Sequence, residues 1–210
     1  MKKADIARFF DRLAAANPAP RGELDFLNPF TLLVAVVLSA QATDASVNKA
    51  TQALFEVADT PARMLALGEE RLRQHIRTIG LYNTKAKNIL RLSEIVLRDH
   101  GGEVPRDRAA LEGLPGVGRK TANVVLNTAF GQPTIGVDTH IFRLCNRTSL
   151  APGRTPIAVE TMLEKRVPAE RKRHAHHWLI LHGRHVCKAR KPACPVCVVR
   201  DLCAYKAKTV

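Results

Sequence analysis

Four cysteines crowd the end of the chain: Cys187, Cys194, Cys197 and Cys203, spaced C-x6-C-x2-C-x5-C within 17 residues. Thiols this close form a metal-ligand pattern rather than a disulfide framework. Spacing alone suits zinc and an iron–sulfur cluster equally, since both accept four thiolates. A second group that could do chemistry is Lys120, which follows Leu114-Pro115-Gly116-Val117-Gly118-Arg119. Pro115 presets its own φ, and Gly116 and Gly118 are able to take φ > 0, so these residues predict a tight turn into a helix. Backbone N–H groups at the start of that helix suit a phosphate. Lys120 is therefore either a solvated or phosphate-bound cation or, when uncharged, an amine nucleophile. The third group is Asp138, in Gly136-Val137-Asp138-Thr139-His140. It reads as the N-cap of a helix over Thr139–Thr148 and, within a site, as a fixed negative charge.

The elements that must position these groups are helices. Periodicity predicts them over residues 2–16, Pro29–Ser39, Asp44–Glu56, Pro61–Leu67, Glu69–Thr78 and Asn83–His100. A short helix at Arg108–Gly113 and another from about Gly118 flank the glycine turn, giving helix, hairpin, helix. No alternating strand pattern and no repeat interrupts this, so the fold class is all-α. Ala62–Arg73 and Ala151–Arg173 carry no diagnostic signal.

The totals narrow the function. The 210 residues, 46% of them apolar, allow a sizeable core and give no sign of disorder. Lys and Arg number 33 against 19 Asp and Glu, a net +14, and residues 165–210 hold 12 of the cations with only Glu170 and Asp201 opposing them. A basic face aimed at a polyanion, nucleic acid above all, is the expectation. Phe30–Ala40 is too short to span a bilayer. Met1-Lys2-Lys3 leads into a polar run rather than a secretory segment, so a cytoplasmic, nucleoid-associated protein is expected, with no membrane partner. Cys145 reads as a buried thiol and Trp178 as core. His174, His176, His177, His182 and His185 lie beside Arg171-Lys172-Arg173 and read as packing and polyanion contacts rather than a second metal site.

Pro115-Gly116-Val117-Gly118-Arg119-Lys120-Thr121-Ala122 and the Gly136–His140 segment that follows it resemble the endonuclease III family of helix–hairpin–helix DNA glycosylases. The likeness extends from Leu33-Val34-Ala35-Val36-Val37-Leu38-Ser39-Ala40-Gln41-Ala42-Thr43-Asp44 to Cys203, almost the whole chain. It implies two helical domains, 22–132 with the hairpin and 1–21 plus 133–210 with the cysteines, and DNA in a groove between them. It also decides for a [4Fe–4S] cluster on the four cysteines. The implied activity is a bifunctional glycosylase and abasic-site lyase on oxidised pyrimidines in duplex DNA, acting as a monomer. Lys120 would be the nucleophile and Asp138 its carboxylate. Gln41 would plug the gap left by a flipped nucleotide and Leu81 would wedge the base step. Ser39 and Asp44 would line the base pocket, Asp44 being equally a helix N-cap. Gly116, Gly118, Arg119, Thr121, His140, Arg143 and Lys191 would contact the strand. The rivals are the adenine-removing branch, which lacks this lysine, and a cluster-bearing DNA-binding module without chemistry.

Overall fold

The computed structural model describes residues 1–209. Every regular element among them is helical, and they form two compact units, Glu23–Phe130 and Met1–Gly22 with Gly131–Val210.

The unit Glu23–Phe130 is built around α2 (Pro29–Leu38). Its sequence carries no charge, and every residue from Phe30 to Leu38 is buried. A helix that is apolar on all sides has to lie inside. It packs against α3 (Asp44–Val57), α6 (Tyr82–Asp99) and α8 (Arg119–Phe130). Each fully buried Leu, Val or Phe stabilises the fold by about 1.5–3 kcal/mol. Asn28 fixes where α2 begins. Its side chain accepts from the Thr31 N–H at 3.0 Å while the Thr31 hydroxyl accepts from the Asn28 N–H at 2.9 Å, a reciprocal cap worth about 1 kcal/mol. α4 (Pro61–Leu67) and α5 (Glu69–Ile76) turn about Gly68 and pack on α6. α6 points Ala86, Ile89, Leu92 and Val96 inward, and Lys85 lies on the same buried stripe. The cap of α3 differs from expectation. Thr43, not Asp44, is the N-cap, its hydroxyl accepting from the Ser46 N–H. Asp44 is instead the first residue of the helix, where a negative charge suits the dipole.

The other unit joins distant parts of the chain. α1 (Lys3–Ala16) buries Ile6, Phe9, Phe10 and Leu13 in one core with α9 (Thr139–Thr148), α10 (Pro156–Arg166) and α11 (Lys172–Leu181). Trp178 sits in that core, 6.4 Å from the Phe10 ring, and its indole N–H donates to Asn17 O at 2.8 Å. Arg12 donates to Val198 O at 3.1 Å and pairs with Asp201. α10 falls within the stretch Ala151–Arg173, which carries no diagnostic pattern. Thr155 caps it and Pro156 opens it, but only Val159, Glu160 and Leu163 are buried. α11 continues into a π-helical turn, His182–Val186. That turn lies tight against α9: a Cβ on Gly183 would stand 2.9 Å from His140 O.

Candidate functional site

Within the first unit, the hairpin joins α7 (Arg108–Glu112) to α8. Asp107 caps α7, accepting from the Ala110 N–H at 2.9 Å. Leu114 and Val117 are buried and anchor the turn from inside, while Gly116 and Gly118 are exposed. Both glycines are able to take left-handed backbone, but only one does. Gly116 takes φ 78°, and a Cβ there would meet Asn88 at 3.1 Å and Val37 at 3.3 Å. Gly118 takes no positive φ, and nothing lies within 4 Å of where its Cβ would be. Gly116 therefore shapes the turn, and Gly118 keeps its outer surface bare. α8 starts immediately after it. Arg119, Lys120 and Thr121 are half-buried on its first turn, and Ala122 to Asn127 are buried beyond them.

Two further loops of this unit carry Gln41 and Leu81, the residues expected to act as plug and wedge. Gln41 and Leu81 are both exposed, Leu81 at 62%, and both hold left-handed backbone, φ 57° and 61°. Positive φ in a non-glycine residue costs roughly 1–3 kcal/mol and persists where the surroundings impose it. The described residues include four such positions, the others being Ser149 and Lys191. Ser39 is half-buried and its hydroxyl donates to Val36 O at 2.8 Å. Asp44 is half-buried at the start of α3.

In the second unit, Asp138 caps α9. Its Oδ1 accepts from the N–H groups of His140 and Ile141, both at 2.9 Å. The cap fixes the carboxylate through one oxygen, and the other takes no part in it. His140 is half-buried, with its Nδ1 3.4 Å from Arg143. Arg143 is committed to structure: it donates to Cys187 O at 2.9 Å and Gly183 O at 2.6 Å. The geometry therefore makes it a strut between α9 and the cysteine segment.

All four cysteines line one pocket, part of it open to solvent, together with Leu144, His182 and Tyr205. Among the described residues no three His, Cys, Asp or Glu side chains are placed to hold a single ion. Four thiols around one space are a donor set that suits a thiolate-ligated metal centre, an iron–sulfur cluster among them. Burial pushes the Cys197 and Cys203 thiols up, so a metal is what draws them into the thiolate form. Arg147, which the sequence reading missed, organises the loop after Cys187. It donates to Lys188 O at 2.7 Å and Ala189 O at 2.9 Å, and its guanidinium lies 4.6 Å from the centre of the Tyr205 ring. Held this way, Lys188, Arg190 and Lys191 are exposed, with Lys191 at φ 47°.

Residues 34–169 match the family described as HhH-GPD superfamily base excision DNA repair protein. Residues 187–203 match the iron–sulfur binding domain of endonuclease III. The chain is 63% identical to endonuclease III of Escherichia coli (strain K12) over 99% of both chains. It is 57% identical to the Haemophilus influenzae endonuclease III, again over 99% of both. Its fold is similar to that of a trapped endonuclease III–DNA covalent intermediate, an estranged-adenine complex, with TM-score 0.90 and 48% identity, covering 97% of this chain and 96% of that one. It is also similar to a thermostable thymine-DNA glycosylase, with TM-score 0.86 and 27% identity over 96% of each chain. Hairpin, cysteine segment and full-length identity agree: the chain belongs to the endonuclease III family of base excision DNA repair proteins.

Proposed function

We propose that Lys120 is the nucleophile of this base-excision-repair glycosylase and abasic-site lyase, that Asp138 is its carboxylate, and that its substrates are oxidised pyrimidines in duplex DNA. The uncharged Lys120 Nζ attacks the sugar C1′. The C1′–N bond breaks, and the base leaves with the electron pair and takes up a proton. Positive charge spreads over C1′ and the ring oxygen, and a fixed carboxylate stabilises it. Opening of the ring leaves a Schiff base between Nζ and C1′. Loss of a C2′ proton, with Asp138 assisting proton transfer, then expels the 3′ phosphate oxygen and cuts the strand. Water hydrolyses the Schiff base and returns the lysine.

The reaction requires the nucleotide to leave the stack. In this reading Gln41 fills the gap and hydrogen-bonds the orphaned base, Leu81 parts the step, and Ser39 and Asp44 line the pocket. Their exposure and imposed left-handed backbone support such a role for Gln41 and Leu81. Gly116, Gly118, Arg119, Thr121, His140 and Lys191 hold the phosphates, with Gly118 providing bare backbone for close approach. Arg143 acts indirectly, as a strut. Cys187, Cys194, Cys197 and Cys203 hold the [4Fe–4S] cluster. When bound, the cluster supplies a cross-link among four points of a short basic segment, and no step of the reaction passes through it. A monomer beside the chromosome in the cytoplasm completes the proposal. No helix among the described residues is long and apolar enough to cross a membrane.

The observation that carries this reading is a lysine on the first turn of α8, directly behind an exposed glycine hairpin. Similarity to an endonuclease III structure trapped as a covalent DNA intermediate supports it. The test is borohydride trapping on a duplex with one oxidised pyrimidine. Native protein is expected to form a covalent adduct and a nick, and Lys120→Ala is expected to lose both by at least about 10³-fold. Adducts at the native level in Lys120→Ala would sink the proposal.

A further inference from the structure

Lys85 is the least expected residue on the buried stripe of α6. It is 5% exposed among Ala86, Ile89 and Leu92, where an apolar side chain would pack without cost. Its ammonium is spent on one place: Nζ donates to Leu38 O at 2.9 Å and to Ala40 O at 2.6 Å. These carbonyls end α2 and begin the Gln41 loop, where a helix leaves acceptors without partners and favours a cation. The N–H groups of that loop are already taken inward, Ser39 to Ala35 O and Ala42 to Ser39 O. Gln41 remains at the exposed tip. The backbone N–H of the same Lys85 donates to Leu81 O at 3.0 Å, closing the first turn of α6 on the wedge residue. No side chain caps that helix. Leu81 thus accepts from Lys85 directly, and Gln41 follows Ala40, which accepts from the Lys85 Nζ.

We propose that Lys85 is a positioning residue that locks the Gln41 loop to the Leu81 loop, so that plug and wedge enter the duplex as one unit. The proposal rests on the reading that these two residues fill the gap left by the extruded nucleotide. Imposed left-handed backbone survives only where surrounding contacts over-determine it, and Lys85 supplies such contacts to both loops. Burial lowers the Lys85 pKa, but the uncharged amine retains two N–H donors for the two carbonyls.

The test uses full-length protein and a duplex with 2-aminopurine beside a paired lesion, whose fluorescence reports unstacking. Lys85→Met keeps the stem and removes the two Nζ donors to the Gln41 loop, leaving the backbone N–H on Leu81 O in place. It is expected to slow the fluorescence phase and lesion excision about tenfold or more, with cleavage of a single-stranded abasic oligonucleotide changed less than about twofold. Lys85→Gln, which keeps a donor, is expected to fall between, and it serves alone if the methionine variant does not fold. In native protein, Gln41→Ala and Leu81→Ala should be non-additive, and in the Lys85→Met background they should become additive. Equal losses on both substrates, or non-additivity that survives removal of the donors, overturns the coupling. If neither single variant alters the fluorescence, the gap-filling reading fails and takes this proposal with it.

Discussion

The two units of this chain solve the same problem differently. Glu23–Phe130 is continuous and hangs on α2, a helix buried on every side. Its stability is distributed over many apolar contacts. The other unit draws on residues near both ends of the sequence and finishes in a segment with little core of its own, where the residues from Cys187 to Thr209 bury only Pro192 and Val199. It needs specific ties: Arg143 and Arg147 to carbonyls, and four thiols around one cavity. Left-handed backbone occurs in both units, at Gln41 and Leu81 in the first and at Ser149 and Lys191 in the second, so what separates them is how each is held: a dense core needs few specific ties, and a thin one requires cross-links.

Removing a cross-link from the thin unit should give the largest effect. Cys197→Ser in the full chain is expected to eliminate bound iron and the associated visible absorbance. In hydrogen exchange, peptides covering 187–209 should lose protection while α2 and α6 keep theirs. Uniform loss across both units would erase the distinction drawn above. A core truncation should come next. Leu33 is fully buried in the centre of α2, and Leu33→Ala is expected to cost about 2–5 kcal/mol in denaturant unfolding. Exchange should rise in residues 30–38 and 86–96 first, with iron content unchanged. The smallest effect should come from an exposed tie between the ends. Arg12→Ala removes the Asp201 pair, with Asp201 exposed and Arg12 partly so, and is expected to cost less than about 1 kcal/mol. A larger loss would mean that charge, rather than the Phe10–Trp178 core, holds α1 in place.

How far the sequence could be read follows from how local the determining physics is. α2 is legible because an uncharged apolar run bounded by Asn28-Pro29 and Ser39 has few other uses. The cysteine motif and the hairpin are legible because few residue types can do what they do. The cap of α3 shows the limit: Thr43 and Asp44 are both good caps and adjacent, and the choice depends on which one has extended backbone. α10 was missed because its buried face is only three residues wide and Ile157 points outward, 58% exposed. Thr155-Pro156 was the available signal. The left-handed backbone at Gln41 and Leu81 has no local signature, since neither residue type prefers it. Lys85 could have been suspected as a lysine four residues before Ile89 on an apolar stripe, but its partners at the end of α2 and in the loop after it lie more than forty positions away. The π-helical turn packs Gly183 closely against His140, a contact that no window around residue 183 contains.

The union of α1 with residues beyond 131 has a consequence for biosynthesis. While the ribosome is still translating, α1 emerges well before the residues beyond 131 that it docks on, whereas Glu23–Phe130 is continuous and has all its core residues by residue 130. Ile6, Phe9, Phe10 and Leu13 are therefore exposed for most of the time the nascent chain is growing, and chaperones have their longest opportunity at the N-terminal helix.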